Sequence, residues 1–192
     1  MAFQSSCPGI WVEDQLDNFT IRESRPGDSP EIRLLYPAAF PDEDLLPVVL
    51  ALLSEPRGVL SLIADVDGSV TGHILFTVCG IAENPADYPG TLALLAPLAV
   101  APASQRQGVG SALIRHGLNM FEQSTITHVL VLGDPAYYGR AGFTVETDIA
   151  PPYPLPDEWR EAWQSIRMPG APDRRGTLSV PAPWQQPALW LP

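Results

Sequence analysis

The chain has 192 residues, of which 45% are hydrophobic and 17% charged, and this composition predicts one globular domain rather than a disordered chain. Its formal net charge of −11 disfavours nucleic acids and anionic membranes as partners, because an acidic surface would repel both. All 11 basic residues are arginine, which excludes chemistry that needs a lysine, such as Schiff-base formation or the Walker loop of nucleoside triphosphatases.

Several segments in the first half of the chain have the patterns of regular elements. Alternation of apolar and polar residues predicts strands, and apolar residues every three or four positions predict helices. The predicted elements are a strand at Phe19–Glu23, a helix from an N-cap at Asp28 or Ser29 to Ala39, a helix at Leu45–Leu53, and strands at Val59–Val66 and Val70–Ile81. Asp67-Gly68-Ser69 between the last two is typical of a hairpin turn.

The second half begins with a nearly all-apolar run, Leu92–Val100, which predicts a strand buried on both faces. The elements predicted after it are a helix at Ser111–Gln123, a strand at His128–Leu132, a short helix ending at Arg140, a strand at Phe143–Thr147, a short helix near Asp157–Ile166 and a strand at Gly176–Val180. This order predicts a mixed α/β sheet folded as one unit.

The cysteine and histidine content excludes further kinds of site. Two cysteines, Cys7 and Cys79, are too few for a disulfide framework or a four-cysteine zinc site, and the three histidines lack metal-ligand spacing. There is no signal-peptide pattern at the N-terminus and no run of roughly 20 apolar residues. We therefore expect a cytoplasmic protein that binds neither metal nor membrane.

The segment after Leu92–Val100 has the features of a phosphate-binding loop. It reads Gln105-Arg106-Gln107-Gly108-Val109-Gly110 and leads directly into a helix. Glycines allow close backbone approach, and a helix N-terminus attracts a pyrophosphate. A Walker loop is excluded by the missing lysine, and Leu113 stands where a dinucleotide fingerprint needs its third glycine. The remaining interpretation is a coenzyme A site.

Two motifs here resemble those of the GCN5-related N-acetyltransferases (GNAT). The loop Gln105–Gly110 resembles their Q/R-x-x-G-x-G/A motif, and Tyr138–Phe143 resembles their Y-x-x-x-G-F motif, one helix and one strand further on. The sequence G-D-P-A-Y-Y-G-R-A-G-F, together with Gly72-His73 and Met168–Ala171, is similar to the YhbS-like branch of that family.

The resemblance covers the chain from Phe19 to the C-terminus and implies a mixed α/β (α+β) fold. That fold has a central, twisted, mostly antiparallel sheet with splayed middle strands, flanked by helices. It divides the chain into an N-terminal extension at residues 1–18, an acetyltransferase core at 19–150, and a proline-rich C-terminal segment at 151–192 that completes the same domain.

The resemblance also implies an activity, the transfer of an acetyl group from acetyl-CoA to a primary amine of a small molecule or peptide. Tyr138 is its expected general acid, and Tyr137 is the alternative. Backbone groups in the splayed strand would hold the pantetheine, and the loop would hold the pyrophosphate. The expected cofactor-binding residues are Leu98, Ala99, Val100, Gln105, Arg106, Gln107, Gly108, Val109, Gly110 and Ser111.

The general base stays open, because Leu92–Val100 has no acidic residue where many relatives carry a glutamate. The candidates are a water relay, His73, Glu83, Asp134, or no base at all. The missing carboxylate keeps a second hypothesis, a non-catalytic module on the same fold that binds acyl-CoA as a sensor or regulatory subunit. A longer acyl donor or an oxygen or sulfur acceptor also stays open.

The partners stay open in two further respects. The net charge favours a cationic acceptor. The acidic run Asp42-Glu43-Asp44 either attracts such a substrate or is a solvated helix start. Trp184 and Trp190 in the C-terminal segment either pack over the core or form a homodimer surface.

Overall fold

A nine-stranded sheet forms the centre of the computed structural model, which describes residues 19–84 and 90–190. The strands are β1 (Thr20–Glu23), β2 (Val59–Val66), β3 (Ser69–Ile81), β4 (Leu92–Val100), β5 (His128–Leu132), β6 (Thr144–Val145), β7 (Ile149–Ala150), β8 (Trp163–Arg167) and β9 (Gly176–Ser179). Their main order is β1-β2-β3-β4-β5-β8-β6, and β9 pairs with both β3 and β7.

The pairings make a mixed sheet that is mostly antiparallel, as predicted. The parallel pairs among the described strands are β4–β5 and β7–β9. Asp67 and Gly68 join β2 to β3 with φ angles of 49° and 86°, which match a two-residue type I′ hairpin. The Asp65 carboxylate accepts a hydrogen bond from the Gly68 amide at 2.7 Å and supports this turn.

Four helices cover the two faces of the sheet within the described residues. They are α1 (Ser29–Ala39), α2 (Leu46–Leu53), α3 (Val109–Phe121) and α4 (Pro135–Tyr138). Asp28 precedes α1 as predicted, but its carboxylate binds the Arg22 guanidinium at 2.8 Å instead of capping the helix. The predicted Ser111–Gln123 helix is α3, which begins and ends two residues earlier.

Two hydrophobic clusters lie on opposite sides of the sheet. On the first side, which we call the α1/α2 face, Leu35, Val49 and Leu52 pack with Leu94 and Trp163. On the second side, the α3 face, residues of α3 pack with alternate residues of the same strands. Because successive strand residues point to opposite faces, β4 contributes Leu94 to one cluster and Leu95 to the other.

The helix predicted near Asp157–Ile166 is wrong. That segment forms a 3₁₀ turn at Asp157–Ala162 followed by strand β8, which pairs with β5 and β6. Trp159, Ala162, Trp163 and Ile166 have helical spacing, which explains the prediction. Pairing with strands on both sides satisfies the backbone of this segment and overrides that local pattern. The strand predicted at Phe143–Thr147 is likewise shorter, at Thr144–Val145.

The C-terminal segment packs into the same core. Leu178, Val180, Trp184 and Trp190 belong to the cluster on the α1/α2 face. The Trp184 indole N–H donates to the Thr77 hydroxyl at 3.1 Å, and the Trp190 indole N–H donates to the Trp184 carbonyl at 3.0 Å. Of the two roles considered for these tryptophans, packing over the core is therefore the one the fold uses. The predicted N-terminal extension, residues 1–18, lies outside the described residues.

Candidate functional site

The middle of the sheet opens between β4 and β5. These strands pair only at Leu92–Leu94, opposite His128–Leu130, so within the described residues Leu95–Val100 has no strand partner on its β5 side. β5 instead continues its pairing with β8 as far as Leu132. The two parallel strands thus diverge, which leaves a gap and a stretch of β4 backbone available to a ligand, as the predicted splayed strands require.

A β-bulge bends β4 at the same place. Ile74 of β3 pairs with Leu98, but Phe76 pairs with Leu95, so Ala96–Pro97 stand opposite a single residue of β3. Proline cannot donate a ladder hydrogen bond, and a bulge is a position that tolerates this loss. Pro97 lies in this bulge, so its missing N–H does not interrupt a regular ladder.

The loop that follows β4 presents backbone amides at the start of α3. Arg106 and Gly108 have left-handed φ angles of 60° and 86°, which turn the chain tightly into the helix. The first bond of α3 runs from the Ala112 amide to the Gly108 carbonyl. The preceding amides, those of Val109, Gly110 and Ser111, have no partner within the helix and are the groups that bind anions at helix N-termini.

Several side chains of the loop brace it. The Gln105 amide group donates to the Val100 carbonyl at 3.2 Å, and the Gln107 amide group donates to the Ala103 carbonyl at 2.7 Å. Val109 is buried in the cluster on the α3 face. These three residues thus offer a ligand their backbone, whereas the exposed Arg106 adds a positive charge.

Two adjacent tyrosines of α4 face different spaces. Tyr138 lines a cavity at the gap between β4 and β5, whereas Tyr137 lies over the start of α3 beside Ser111. A Cβ atom at Gly110 would collide with the Tyr137 hydroxyl, and one at Gly133 would collide with the Tyr138 ring. Both positions therefore require glycine, because the tyrosine side chains lie too close to the backbone there for a Cβ atom.

The packing of the two tyrosines couples them. Their rings are perpendicular with centroids 5.1 Å apart, and the Arg140 guanidinium lies 5.4 Å from the centroid of the Tyr137 ring. Removal from water raises the pKa of both phenols, and the neighbouring Tyr137 raises that of Tyr138 further. Tyr138 is therefore a protonated phenol throughout the neutral pH range.

The cavity beside Tyr138 has a volume of about 330 Å³ and passes between the two faces of the sheet. Leu98 and Tyr138 line it from the α3 face, and aromatic and aliphatic side chains line it from the α1/α2 face. The lining from the α1/α2 face includes Phe40, Leu45, Leu94, Leu132, Trp184, Leu189 and Trp190. Glu43 and Asp134 supply the carboxylates of the lining.

The three side chains considered as bases lie in different places. Asp134 lines the cavity, and its carboxylate accepts a hydrogen bond from the Ala136 amide at 2.8 Å, which caps α4. Glu83 binds the amide and hydroxyl of Thr177 at 2.8 Å, and these bonds lower the pKa of its carboxyl group. His73 is fully buried within the core. Of the three, Asp134 is the one that can reach a ligand in the cavity.

His73 belongs to a buried polar network between α1 and the sheet. Its Nδ1 lies 2.8 Å from the Tyr36 hydroxyl and its Nε2 lies 2.8 Å from the Ser61 hydroxyl. A neutral imidazole satisfies both contacts, because one ring nitrogen donates and the other accepts. Burial lowers the pKa of His73 to about 3, against a small opposing effect of Asp28.

This network predicts a specific loss of stability in acid. Between about pH 6.5 and pH 3 the unfolded chain binds a proton at His73 that the folded protein does not. The contribution of His73 to the free energy of unfolding is therefore lost as pH falls, by at most about 1.4 kcal/mol per pH unit. We expect His73→Gln to unfold more easily at pH 7 but to lose less stability between pH 7 and 4.5 in urea titrations. His116→Gln, outside the network, is the control, and equal pH slopes in wild type and His73→Gln would contradict the prediction.

A second cavity, of about 450 Å³, extends along α3 from Ser111. Arg115, Arg140 and Arg167 line it, with Glu122 as the one carboxylate among the described lining residues and Asp173 paired with Arg167. The lining is therefore more basic than the chain as a whole. This cavity lies next to the loop, so basic side chains continue from the helix N-terminus along one face of α3.

Some lining residues were not singled out as site residues from the sequence. Phe40 and Leu189 belong to no motif, and no signal in the sequence could have found them, whereas Gly133 begins the motif that ends at Phe143. Glu43 belongs to an acidic run for which substrate attraction is one of two predicted roles, and Trp184 and Trp190 are predicted either to pack over the core or to form a homodimer surface. Residues so far apart in the chain meet only through the folded sheet.

Two kinds of site are not seen in the described part of the chain. Residues 19–84 and 90–190 contain no group of three or more His, Cys, Asp or Glu side chains that could hold a metal ion. No helix in these ranges is long and apolar enough to cross a membrane.

Comparison with known proteins agrees with this geometry. The model of the Acetyltransferase (GNAT) family matches residues 26–143, which is more than half of the chain. The chain is 34% identical over 160 residues to YjhQ of Escherichia coli, called an uncharacterized N-acetyltransferase, covering 81% of this chain and 87% of YjhQ.

Two solved structures resemble the fold over most of its length. The GNAT family N-acetyltransferase YhbS of Escherichia coli, in complex with CoA, has a TM-score of 0.74 and 25% identity, covering 88% of this chain and 93% of YhbS. A GNAT family acetyltransferase of Brucella melitensis, in complex with acetyl-CoA, has a TM-score of 0.68 and 29% identity, covering 87% of this chain and 98% of that one. The splayed sheet, the loop at the start of α3, the family-model match and these relatives together establish that the chain belongs to the GCN5-related N-acetyltransferase family.

Proposed function

We propose that the protein transfers an acetyl group from acetyl-CoA to a primary amine by direct transfer. The observation that carries the proposal is the cavity where β4 and β5 diverge, with the protonated Tyr138 on one face and carboxylates in its lining. The CoA and acetyl-CoA bound in the two structural relatives support the choice of donor. Bound acetyl-CoA supplies an acetyl group activated as a thioester.

The chain offers a binding site along the length of such a ligand. The β4 backbone at Leu98–Val100, unpaired toward β5, would hold the pantetheine, and the loop from Gln105 to Ser111 would hold the pyrophosphate. The cavity lined by Arg115 and Arg140 adjoins Ser111 and would attract the remaining phosphate. This continuous arrangement supports coenzyme A over a ligand with a single phosphate.

Tyr138 is proposed as the general acid. When the amine nitrogen bonds to the acetyl carbon and the carbon–sulfur bond breaks, the departing sulfur needs a proton. Tyr138 lines the cavity, and the raised pKa of its hydroxyl keeps that proton available at neutral pH. Tyr137 is a weaker candidate, because it faces the second cavity, along α3, instead of the cavity beside Tyr138.

The acceptor amine must also lose a proton, since amines are ammonium ions near pH 7. Asp134 lines the cavity beside Tyr138, so we assign it, directly or through water, the role of accepting this proton. Its hydrogen bond to the Ala136 amide holds the carboxylate at the start of α4.

Thermal unfolding with and without acetyl-CoA tests the donor. A ligand at 100 times its Kd that binds only the folded state adds about 2.7 kcal/mol of stability. For a domain of this size we expect the Tm to rise by roughly 5–10 °C with acetyl-CoA and with CoA, but not with ATP. An unchanged Tm with saturating acetyl-CoA would contradict the proposal.

Release of free thiol separates an enzyme from a non-catalytic acyl-CoA-binding module. Amine-dependent thiol release above the hydrolysis background requires turnover, whereas a sensor would show the Tm shift alone. Cys79 does not disturb this assay, because burial raises the pKa of its thiol to about 12.

A further inference from the structure

We propose that the acceptor is a small monoamine with a compact apolar body, of the size of an arylalkylamine, rather than a polyamine or a peptide. This inference rests on the proposed function, because it concerns the cavity in which Tyr138 would act. It follows from the two faces of the sheet, the chemistry of the cavity wall and the charge of its lining.

The two faces of the gap separate donor from acceptor. The loop at the start of α3 and the second cavity, which Arg115 and Arg140 line, both belong to the α3 face. The rest of the 330 Å³ cavity lies on the α1/α2 face, against Phe40, Trp184 and Trp190. A donor held along α3 thus reaches the gap from one side and leaves the opposite side to the acceptor.

The wall on the acceptor side is apolar and fixed. Trp184 and Trp190 are 5% and 2% exposed, and both indole N–H groups are already bonded, to the Thr77 hydroxyl and the Trp184 carbonyl. These side chains therefore present only aromatic surface to the cavity. With Leu45 and Leu189 they make a lining that favours an apolar or aromatic body over a hydrophilic one.

The charged groups of the lining favour an ammonium. Glu43 is an exposed carboxylate on the α1/α2 side, and Asp134 lies near Tyr138. A neighbouring pocket shares Glu43 and adds Asp42 and Asp44. Among the described residues that line these two spaces none is basic, so a carboxylate on the acceptor would be repelled.

The size and the single charged end limit the acceptor further. A volume of about 330 Å³ is at the small end of ligand sites and suits one compact molecule. A linear diamine would have to lose water from a second ammonium on entering this small cavity, which is costly, and its thin chain would leave the tryptophan wall unfilled. The acyl chain of a longer donor would also fit an apolar wall, but it would leave both carboxylates without a partner.

Steady-state kinetics with matched amines tests the inference. The probes are 2-phenylethylamine, ethanolamine, 1,4-diaminobutane, L-phenylalanine and a lysine tetrapeptide, each with acetyl-CoA and thiol detection. We expect kcat/KM for 2-phenylethylamine to exceed the others by at least about tenfold, which corresponds to about 1.4 kcal/mol. Apolar contact supplies this difference over the hydrophilic amines, and charge repulsion supplies it over L-phenylalanine. L-Phenylalanine is the sharpest comparison, since it has the same ring and adds only a carboxylate.

Two variants test whether the lining of the acceptor side determines the preference for 2-phenylethylamine. Leu189→Ser should lower kcat/KM for 2-phenylethylamine severalfold and leave the KM for acetyl-CoA unchanged. Glu43→Gln should raise the KM for 2-phenylethylamine by about two- to fivefold at low salt and less at high salt, as for a partly exposed charge pair. Glu158→Gln removes an exposed carboxylate elsewhere and is the matched control. Leu189 lies at the partly exposed edge of the cluster on the α1/α2 face and Glu43 is exposed, so both variants should fold.

The outcomes separate this inference from the proposed function. Preference for the diamine or the tetrapeptide, or a rate that rises along a series from acetyl-CoA to hexanoyl-CoA, would overturn the inference and leave acyl transfer standing. If no amine is turned over, quenching of tryptophan fluorescence by 2-phenylethylamine in the CoA-saturated protein decides. Saturable quenching that Leu189→Ser weakens would support the acceptor site without turnover, and its absence would overturn it.

Discussion

Tyr138→Phe is expected to lower kcat by about 10²–10⁴-fold, the usual contribution of a general acid, while the Kd of acetyl-CoA stays unchanged. The substitution removes one hydroxyl and keeps the ring, which packs against Gly133 and makes edge contacts with Tyr137 and Phe143. The fold and the donor site should therefore be intact. Single-turnover thiol release gives the rate of the chemical step, and calorimetry with acetyl-CoA gives the Kd.

Tyr137→Phe is the matched control for this experiment. It removes the adjacent hydroxyl, which faces the second cavity along α3, and leaves the cavity beside Tyr138 unchanged. Its effect on kcat should be small. A kcat in Tyr138→Phe equal to that of the wild type would refute the assignment of the general acid, though not the family. Because the pKa of Tyr138 is raised, the acid form persists into alkaline solution, and kcat should not fall between pH 7 and 9 for want of this proton.

Gly110→Ala should weaken acetyl-CoA binding by about tenfold or more and lower kcat as well. The new methyl group would collide with the Tyr137 hydroxyl, and overpacking of this kind costs about 1–3 kcal/mol. Tyr137 is held by Arg140 and stands perpendicular to Tyr138, so its displacement would disturb the proposed acid. Gly110 also contributes one of the first amides of α3, where the pyrophosphate would bind.

The double variant Gly110→Ala/Tyr137→Phe tests this explanation. Without the hydroxyl, the nearest atoms to the new methyl group are the Tyr137 Cζ and a Val100 methyl at 3.5 Å, an ordinary contact. Most of the lost affinity and rate should return, giving a strongly non-additive double-mutant cycle. Additive effects in the cycle would mean that Gly110 acts through its backbone conformation alone, and a Gly110→Ala protein that binds and turns over normally would dismiss the contact altogether.

Elements defined by neighbouring residues could be predicted from the sequence. The hairpin at Asp67-Gly68, the strand Leu92–Val100 and the loop into α3 rest on turn residues, an apolar run and glycine positions that act within a few residues of one another. The same holds for the two family motifs, which the fold brings to α3 and α4. Local chemistry was sufficient there, because those conformations need no distant partner.

Strand β8 and the acceptor side of the cavity could be identified only from the tertiary structure. Trp163–Arg167 has helical apolar spacing, and only hydrogen bonds to β5 and β6 make it a strand. Phe40 and Trp190 line one cavity although 150 positions of chain separate them. The choice of Asp134 over His73 depends on the fold, which places Asp134 in the cavity lining and buries His73 in the core. Such pairings arise from long-range packing and strand pairing, which no local pattern of residues encodes.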